Sequence, residues 1–555
     1  MRPGGTRSVA SAAIERVLTL LIVLGLVAAS VRDAPALESE LGPAKIDVAA
    51  TAGLRTVLRF DPNTPTEEPT FDLGLDLKSA FGSNVKIVTH TLFRSDGTVA
   101  DGANEHTIHD FHSVFQDSTP YLEFQEAYLD LELPASALRA GLQKFAWGKL
   151  DALNPTDHLN PLDFTRPLDE IESASKIGVP ALDLKLLPGQ IGSTGPFEEM
   201  VLEGVFEPVA VPFRLPQTQD RWYPPLLNLP DTIPVDPGSF AMPVCEGVFP
   251  DPTQAQLCEK KVGALKPFPI HPALTLAEID APPVEPAHFQ WATQWTTTVA
   301  GFDIDLSYFD GYDSIPTARL DALVRTSPAV TSGPNTAKID SDVDVTLHPE
   351  LDRVRTFGGG FATSVWDLTL KGNFAYVQGR RFNYNINTTD ATQLLALLSR
   401  APDAHDKIKT FLHDLFLVGP SQQVELDGVP ISVERDAVSG GLQAEYLAGD
   451  WILDLGGYLD VMLDPAPGLI QKQFEGRVLV QVRRTFLNDT LTLDLTGVCL
   501  TARGEFVGMP KLGYQLLDGL TAEAGVLAIE GPKGGLLGQF RQNDEAFAQI
   551  TYAWQ

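Results

Sequence analysis

The chain has 555 residues with 46 Gly and 42 Pro, a composition that favours turns and loops over helix bundles. Its 72 acidic and 41 basic residues give a formal charge of −31, which repels phosphate polymers, excludes a nucleic-acid partner and suits an exported protein with water-facing acidic loops. Past the N-terminus no stretch approaches the roughly 18 to 20 consecutive apolar residues of a spanning helix, so residence in a membrane requires a closed β-barrel.

Arg2, Arg7 and Arg16 flank an apolar run at 17–29, and the small exit Ala34, Pro35, Ala36 comes next. This layout predicts a cleaved signal peptide over 1–36, with an uncleaved membrane anchor as the alternative. No Cys lies near the cleavage point, which argues against a lipoprotein. The mature chain, 37–555, reads as one outer-membrane barrel with long loops at 149–180, 208–286 and 381–430.

Strands begin where Phe71, Leu73, Leu75 and Leu77 alternate with Asp72, Gly74, Asp76 and Lys78. After the Gly82, Ser83, Asn84 turn, Val85, Ile87 and Phe93 continue a second strand. The period is two, and a helix would need apolar residues three and four apart. The polar stretch 96–120 carries His106, His109, Asp110 and His112, either a site for a borderline metal or a solvated loop.

Strands resume around 121–131 and 137–147, and Glu123 and Glu126 near Tyr128 could form a catalytic carboxylate pair or be ordinary strand acids. The next stretch holds Gly141, Leu142, Gln143, then Trp147 and Gly148, then the repeats Asn154, Pro155 and Asn160, Pro161. These residues resemble the strand-to-loop signature of large porin-like outer-membrane barrels, the broad group that includes alginate-export proteins and related families of unknown substrate. The resemblance spans about forty residues and the terminal strand, and it implies a transport barrel. Asp151, Asn154, Asp157, Asn160 and Asp163 recur every three residues. No cofactor is expected, with Ca²⁺ in this external loop as the alternative: Asx side chains so spaced satisfy their own turn backbone or aim oxygens at a hard cation.

The Pro-rich stretch 208–286 holds Cys245 and Cys258, which could clip a loop in an oxidising compartment or stay as two free thiols, while Cys499 stands alone. So long a structureless connection suits an external or lumen-folding barrel loop. Phe289, Trp291, Thr293, Trp295, Thr297 and Val299 then share one strand face, and after Ala300 and Gly301 the return strand sets Phe302, Ile304, Leu306 and Tyr308 against Asp303 and Asp305. Further tight turns fall at 366–367, 448–450, 488–489 and 518–519. Residues 389–417 carry a helical pattern broken by Pro402, placed to narrow the pore or to pack on the rim.

At the C-terminus Ala546, Ala548, Ile550, Tyr552 and Trp554 line one face of a strand, as the closing strand of a barrel or as an edge strand of a soluble sandwich. The barrel assembly machinery would engage this strand, and outer-membrane lipids would surround the barrel.

The whole pattern predicts an all-β, single antiparallel transmembrane barrel of about eighteen strands, with sixteen possible, in the bacterial cell outer membrane. The faces opposite the apolar ones carry Asp72, Asp76, Lys78, Asp303, Asp305, Lys371, Asn373, Gln443, Glu445, Asp454, Asp460, Glu475, Arg477, Gln481, Arg483, Asp494 and Glu523. Acids outnumber bases, which predicts a weakly cation-preferring or charge-indifferent channel for small solutes. The alternative is cross-pairing of these groups in a plugged barrel that serves as a surface binding or assembly scaffold. No Gly-x-Ser-x-Gly elbow, His-Glu-x-x-His or phosphate loop is present, so no enzyme is expected.

Overall fold

A computed structural model describes residues 39–41, 44–59, 70–95, 121–151, 153–165, 176–190, 195–216, 222–225, 232–235, 245–246, 251–262, 268–277, 279, 281–329, 338–386, 397–417 and 421–554. The expected signal peptide and the His106, His109, His112 loop lie outside the described residues.

In chain order the first strands are β1 (Ser39–Leu41), β2 (Ala44–Arg59), β3 (Thr70–Phe81), β4 (Val85–Ser95), β5 (Tyr121–Leu133), β6 (Ser136–Gln143), β7 (Val179–Leu186) and β8 (Glu198–Glu207). Next come β9 (Ile233–Val235), β10 (Phe268–Leu276), β11 (Gln290–Val299), β12 (Phe302–Tyr312), β13 (Thr317–Ala329), β14 (Lys338–Glu350), β15 (Arg353–Val365), β16 (Leu368–Asn383) and β17 (Gln422–Pro430). The last are β18 (Ser432–Ala448), β19 (Trp451–Met462), β20 (Phe474–Phe486), β21 (Leu491–Leu500), β22 (Glu505–Leu517), β23 (Leu520–Glu530) and β24 (Glu545–Trp554). Two helices, α1 (Pro252–Val262) and α2 (Ala404–Leu417), sit between them.

Eighteen strands, β2 to β8, β11, β12, β15, β16 and β18 to β24, form a closed antiparallel barrel. Closure runs from Ala50 opposite Trp554 to Arg59 opposite Glu545, so the barrel wall has no free edge to hydrogen-bond a second chain. The tight turns 82–84, 134–135, 300–301, 366–367, 449–450 and 518–519 all lie at the end where β2 starts and β24 stops. The long connections 144–178, 208–289, 313–352 and 384–431 lie at the other end. At the β11/β12 turn both Ala300 and Gly301 have positive φ, 52° and 82°, as a two-residue turn matched to strand twist requires.

The two-residue period sends one face of every strand outward. There Leu442 is 64% exposed, Trp291 53% and Leu455 57%, within a continuous set of exposed Leu, Phe and Trp side chains. Such a surface would aggregate in water and is solvated by lipid. The closed, edge-free wall and this apolar exterior make the protein an outer-membrane β-barrel.

The external connections are more ordered than the sequence suggests. Strands β9, β10, β13, β14 and β17 form a second sheet in the order β17, β13, β14, β10, β9, with β10 parallel to β14 and the other pairs antiparallel. Only a few residues separate β12 from β13, β14 from β15 and β17 from β18, so this sheet stands directly on the barrel wall. Leu320, Val343, Val345, Leu347, Leu426 and Val429 bury its core against Leu397, Leu398 and Ala404, and Ile408 and Phe411 of α2 pack on it. The 389–417 pattern is therefore, in its described part, a rim helix on a sheet. Its apolar face faces strand β17. Cys245 and Cys258 are joined by a disulfide, Cα to Cα 5.7 Å, whereas Cys499 is free.

Candidate functional site

The lumen is shaped by the connection between β6 and β7, which folds inward. Asn160 holds its base: the Phe145 N–H donates to Asn160 Oδ1 (2.7 Å), and Asn160 Nδ2 donates to the Gln143 and Ile177 carbonyls (3.1 and 2.8 Å). From there Phe145, Trp147, Leu159 and Ile177 pack with Val205, Ala292, Phe309, Val354, Ala375 and Val377 of the barrel's inner wall. An apolar core thus fills one side of the lumen. That is why β15 and β16, expected to be polar inside, carry Val354 and Val377 there.

The far end of the loop is tied to distant strands. The Lys149 and Leu150 N–H groups donate to Asn373 Oδ1 (2.6 and 3.1 Å), and the Asp151 N–H donates to Gln443 Oε1 (3.1 Å). Lys371 Nζ and Gln443 Nε2 donate back to the Asp151 carboxylate (2.6 and 2.7 Å to Oδ2). A Cβ on Gly360 would stand 2.3 Å from Asn373 Nδ2 and 2.6 Å from Asp305 Oδ2, so a larger residue there would displace these two side chains from the wall.

The five Asx side chains expected to gather around Ca²⁺ are instead drawn to separate partners. Asp151 pairs with Lys371, Asp157 with Lys176 and Asp163 with Arg214, which also binds Glu123. Asn154 Oδ1 accepts the Thr156 N–H and hydroxyl, its Nδ2 donates to the Trp147 carbonyl, and Asn160 caps the loop base. Among the described residues no group of three or more His, Cys, Asp or Glu could hold a metal. Calcium at these five residues is thus not confirmed: here their oxygens satisfy turn backbone and cations, as short Asx side chains in turns do.

Buried in the loop, His158 stacks on Phe309 (5.8 Å between ring centres). Burial pushes its imidazole down, with Asp313, Arg380 and Asp157 as its charged neighbours. Burial also pushes the Asp157 carboxyl up, while Lys176 pulls it the other way.

The expected lumen residues sit opposite the lipid face, and most are paired. Asp72 pairs with Arg94, Asp76 with His90, Asp460 with Arg477, and Asp494 with Arg483. Glu475 pairs with Arg503 at the rim rather than in mid-barrel. Asp303 accepts the Thr298 hydroxyl (2.6 Å). Asp305 is fully buried with no hydrogen-bond partner, and Lys149 is its opposing charge. Glu445 lies beside Asp454, which accepts a hydrogen bond from Gln443. Arg94 and His90 were open to prediction, since the register that sets Asp72 opposite Arg94 also sets Asp76 opposite His90. Arg214, far away in an irregular segment, left no such signal.

Two regions of the inner wall differ in access. Around β7, β11, β12, β15 and β16 it is covered by the in-folded loop. On β20, β3 and β4 the charged groups stay accessible: the Arg483 side chain is 48% exposed, that of Asp76 40% and that of His90 38%. Between the loop and β5 to β8 lies a polar cavity of about 180 Å³ lined by Tyr128, Arg139, Asp183, Lys185, Glu203 and Gln294.

No protein-family model matches the sequence, and no curated protein does. Among solved structures, the fold is similar to Salmonella typhi OmpF in complex with daunomycin, at 8% identity over 93% of this chain and 100% of that one, TM-score 0.37. It is similar to Acinetobacter baumannii OccAB4, at 9% identity over 94% and 99%, TM-score 0.42. It is also similar to the outer membrane channel DcaP of A. baumannii, at 9% identity over 94% and 100%, TM-score 0.35. The porin-like architecture expected from the sequence stands on the barrel's own closure and strand number, and kinship with alginate exporters is not shown.

Proposed function

We propose that the protein is an outer-membrane channel that passes small solutes along the uncovered, charged side of its lumen, narrowed by loop 144–178. The carrying observation is the accessible charged groups Asp72, Asp76 and His90 on β3 and β4 and Arg483 on β20, on the part of the inner wall that the loop does not fill. Charged groups that remain accessible inside a closed barrel imply water, and continuous water conducts ions.

Most inner charges are neutralised by partners, which keeps selectivity weak. Of the expected lumen residues, Asp303, Asp305, Glu445, Asp454 and Glu523 form no salt bridge among the described residues, nor does Lys78, while Lys371 is the cation near Asp454. The acidic margin supports a slight cation preference. Neither catalysis nor a cofactor enters this reading. In the same proposal outer-membrane lipids surround the exposed apolar belt, and the assembly machinery engages strand β24.

A second reading, a plugged barrel acting as a surface scaffold, is favoured by the apolar core inside the barrel and by the ordered rim sheet. Planar-bilayer recording of the purified protein separates the two. Discrete steps with a reversal potential favouring K⁺ over Cl⁻ support the channel; silence from a folded, heat-modifiable barrel supports the scaffold.

A further inference from the structure

Above the lumen, the external connections from both sides of the barrel meet around a cavity of about 350 Å³. Its walls come from the in-folded loop (Leu162, Phe164), the rim sheet (Leu347), the β16 exit (Ile386), the β19/β20 connection (Ile470) and the β23/β24 connection (Phe540). The lining is overwhelmingly apolar, in contrast to the charged wall below it.

Of the polar groups at its edge, Gln471 Oε1 is a buried acceptor without a hydrogen-bond partner, able to take one hydroxyl proton, and the following are already engaged. Asn383 accepts the Ala318 N–H (3.3 Å) and donates to the Pro316 carbonyl (3.0 Å), and Thr317 donates to Asp352. Asp163 is held by Arg214 (3.2 Å). A charged guest would lose its hydration here without gaining a counter-charge, whereas an apolar guest gains burial at about 25 cal/mol per Å² of apolar surface. Cavities of roughly 300–1,000 Å³ with such linings hold small organic molecules.

We propose that this cavity is a binding site for a neutral, predominantly apolar small molecule, such as a fused-ring aromatic with one hydroxyl, captured at the external mouth. The proposal deepens the channel reading and rests on it for the passage of a captured solute, since the cavity adjoins the in-folded loop. Binding itself does not require conduction.

The test uses the full chain in lipid nanodiscs and equilibrium dialysis with radiolabelled 1-naphthol, subtracting empty nanodiscs. A saturable, one-to-one component is expected, with 1-naphthalenesulfonate, the same ring system made anionic, bound at least tenfold more weakly. Ala318→Trp, which fills the cavity, and Leu536→Glu, which places a charge in its wall, should each weaken 1-naphthol at least tenfold. Heat-modifiable gel mobility confirms that each variant is folded. No saturable component, equal affinity for the sulfonate, or undiminished binding in both folded variants overturns the site. Parallel bilayer recording keeps the two readings apart: saturable binding by a silent barrel removes the channel and leaves the site, and conduction without binding removes the site and leaves the channel.

Discussion

At the residue scale the in-folded loop is held by contacts of unequal strength. Asn373 is buried and accepts two backbone N–H groups of the loop, so its loss strands both donors in a closed environment. Leaving a buried donor unsatisfied costs about 1–3 kcal/mol. The Lys371 pair is screened, because the Asp151 side chain is 54% exposed, and such pairs contribute roughly 0–1 kcal/mol. Asn373→Ala should therefore loosen the loop much more than Lys371→Ala. In single-channel records the former should show larger mean conductance and frequent flicker, the latter traces close to wild type. The reverse order would mean that the ion pair, not the amide, holds the constriction. Which of these residues could be read in advance depends on distance along the chain. Alternation alone placed Lys371, Asn373 and Gln443 on the inner faces, since inward orientation is a local property. That Asn373 serves Lys149 and Gln443 serves Asp151 depends on a loop crossing the lumen, and no local pattern carries that.

At the element scale two predictions concern the loop and the closing seam. His158 is held with its folded pKa below the ordinary value of 6.5, so the folded loop takes up a proton less readily than the opened one. Its stabilising effect is complete above that value and is lost as pH falls through it toward the lower folded pKa. Asp157, pushed up, acts in the opposite direction on acidification. Amide exchange over 145–165, corrected for intrinsic rates, should therefore rise several-fold between about pH 7.5 and about pH 5. In His158→Phe, which keeps the stack on Phe309, it should stay flat or fall; a rise as large as in the wild type would assign the effect elsewhere. At the seam, Arg55 lies over the Phe547 ring (4.4 Å) and pairs with the fully buried Glu545 (3.0 Å). Removing one partner of such a pair costs about 3–5 kcal/mol. Arg55→Ala should lower the temperature at which the barrel loses its fast-migrating gel form, and adding Glu545→Gln should restore part of the loss. Strand β24 itself was legible from its alternation, but this pairing was not, because Arg55 lies at the opposite end of the chain. The rim sheet was missed for a related reason: β10 runs parallel to β14, joined through long connections, and Pro269 and Pro272 obscure β10's period.

At the scale of the whole molecule, the proposed channel would sort solutes by the balance of its unpaired inner charge. The pairs Asp72 with Arg94 and Asp494 with Arg483 present dipoles rather than net charge to the lumen, so they orient water and polar solutes without sorting ions by sign. Inner acids without a salt bridge, such as Asp303, Glu445 and Glu523, would leave a small acidic excess. Its reach is set by screening, with a Debye length of about 10 Å at 0.1 M salt and about 3 Å at 1 M. The reversal potential under a KCl gradient should thus favour K⁺ by a few-fold at the lower concentration and approach neutrality at the higher one. Asp303→Asn combined with Glu445→Gln should remove most of the preference at low salt, and Lys511→Gln should strengthen it. Preference for Cl⁻, or a K⁺ preference that persists unchanged at high salt, would show that sorting is done by close contacts at the in-folded loop, and not by the diffuse field of the wall.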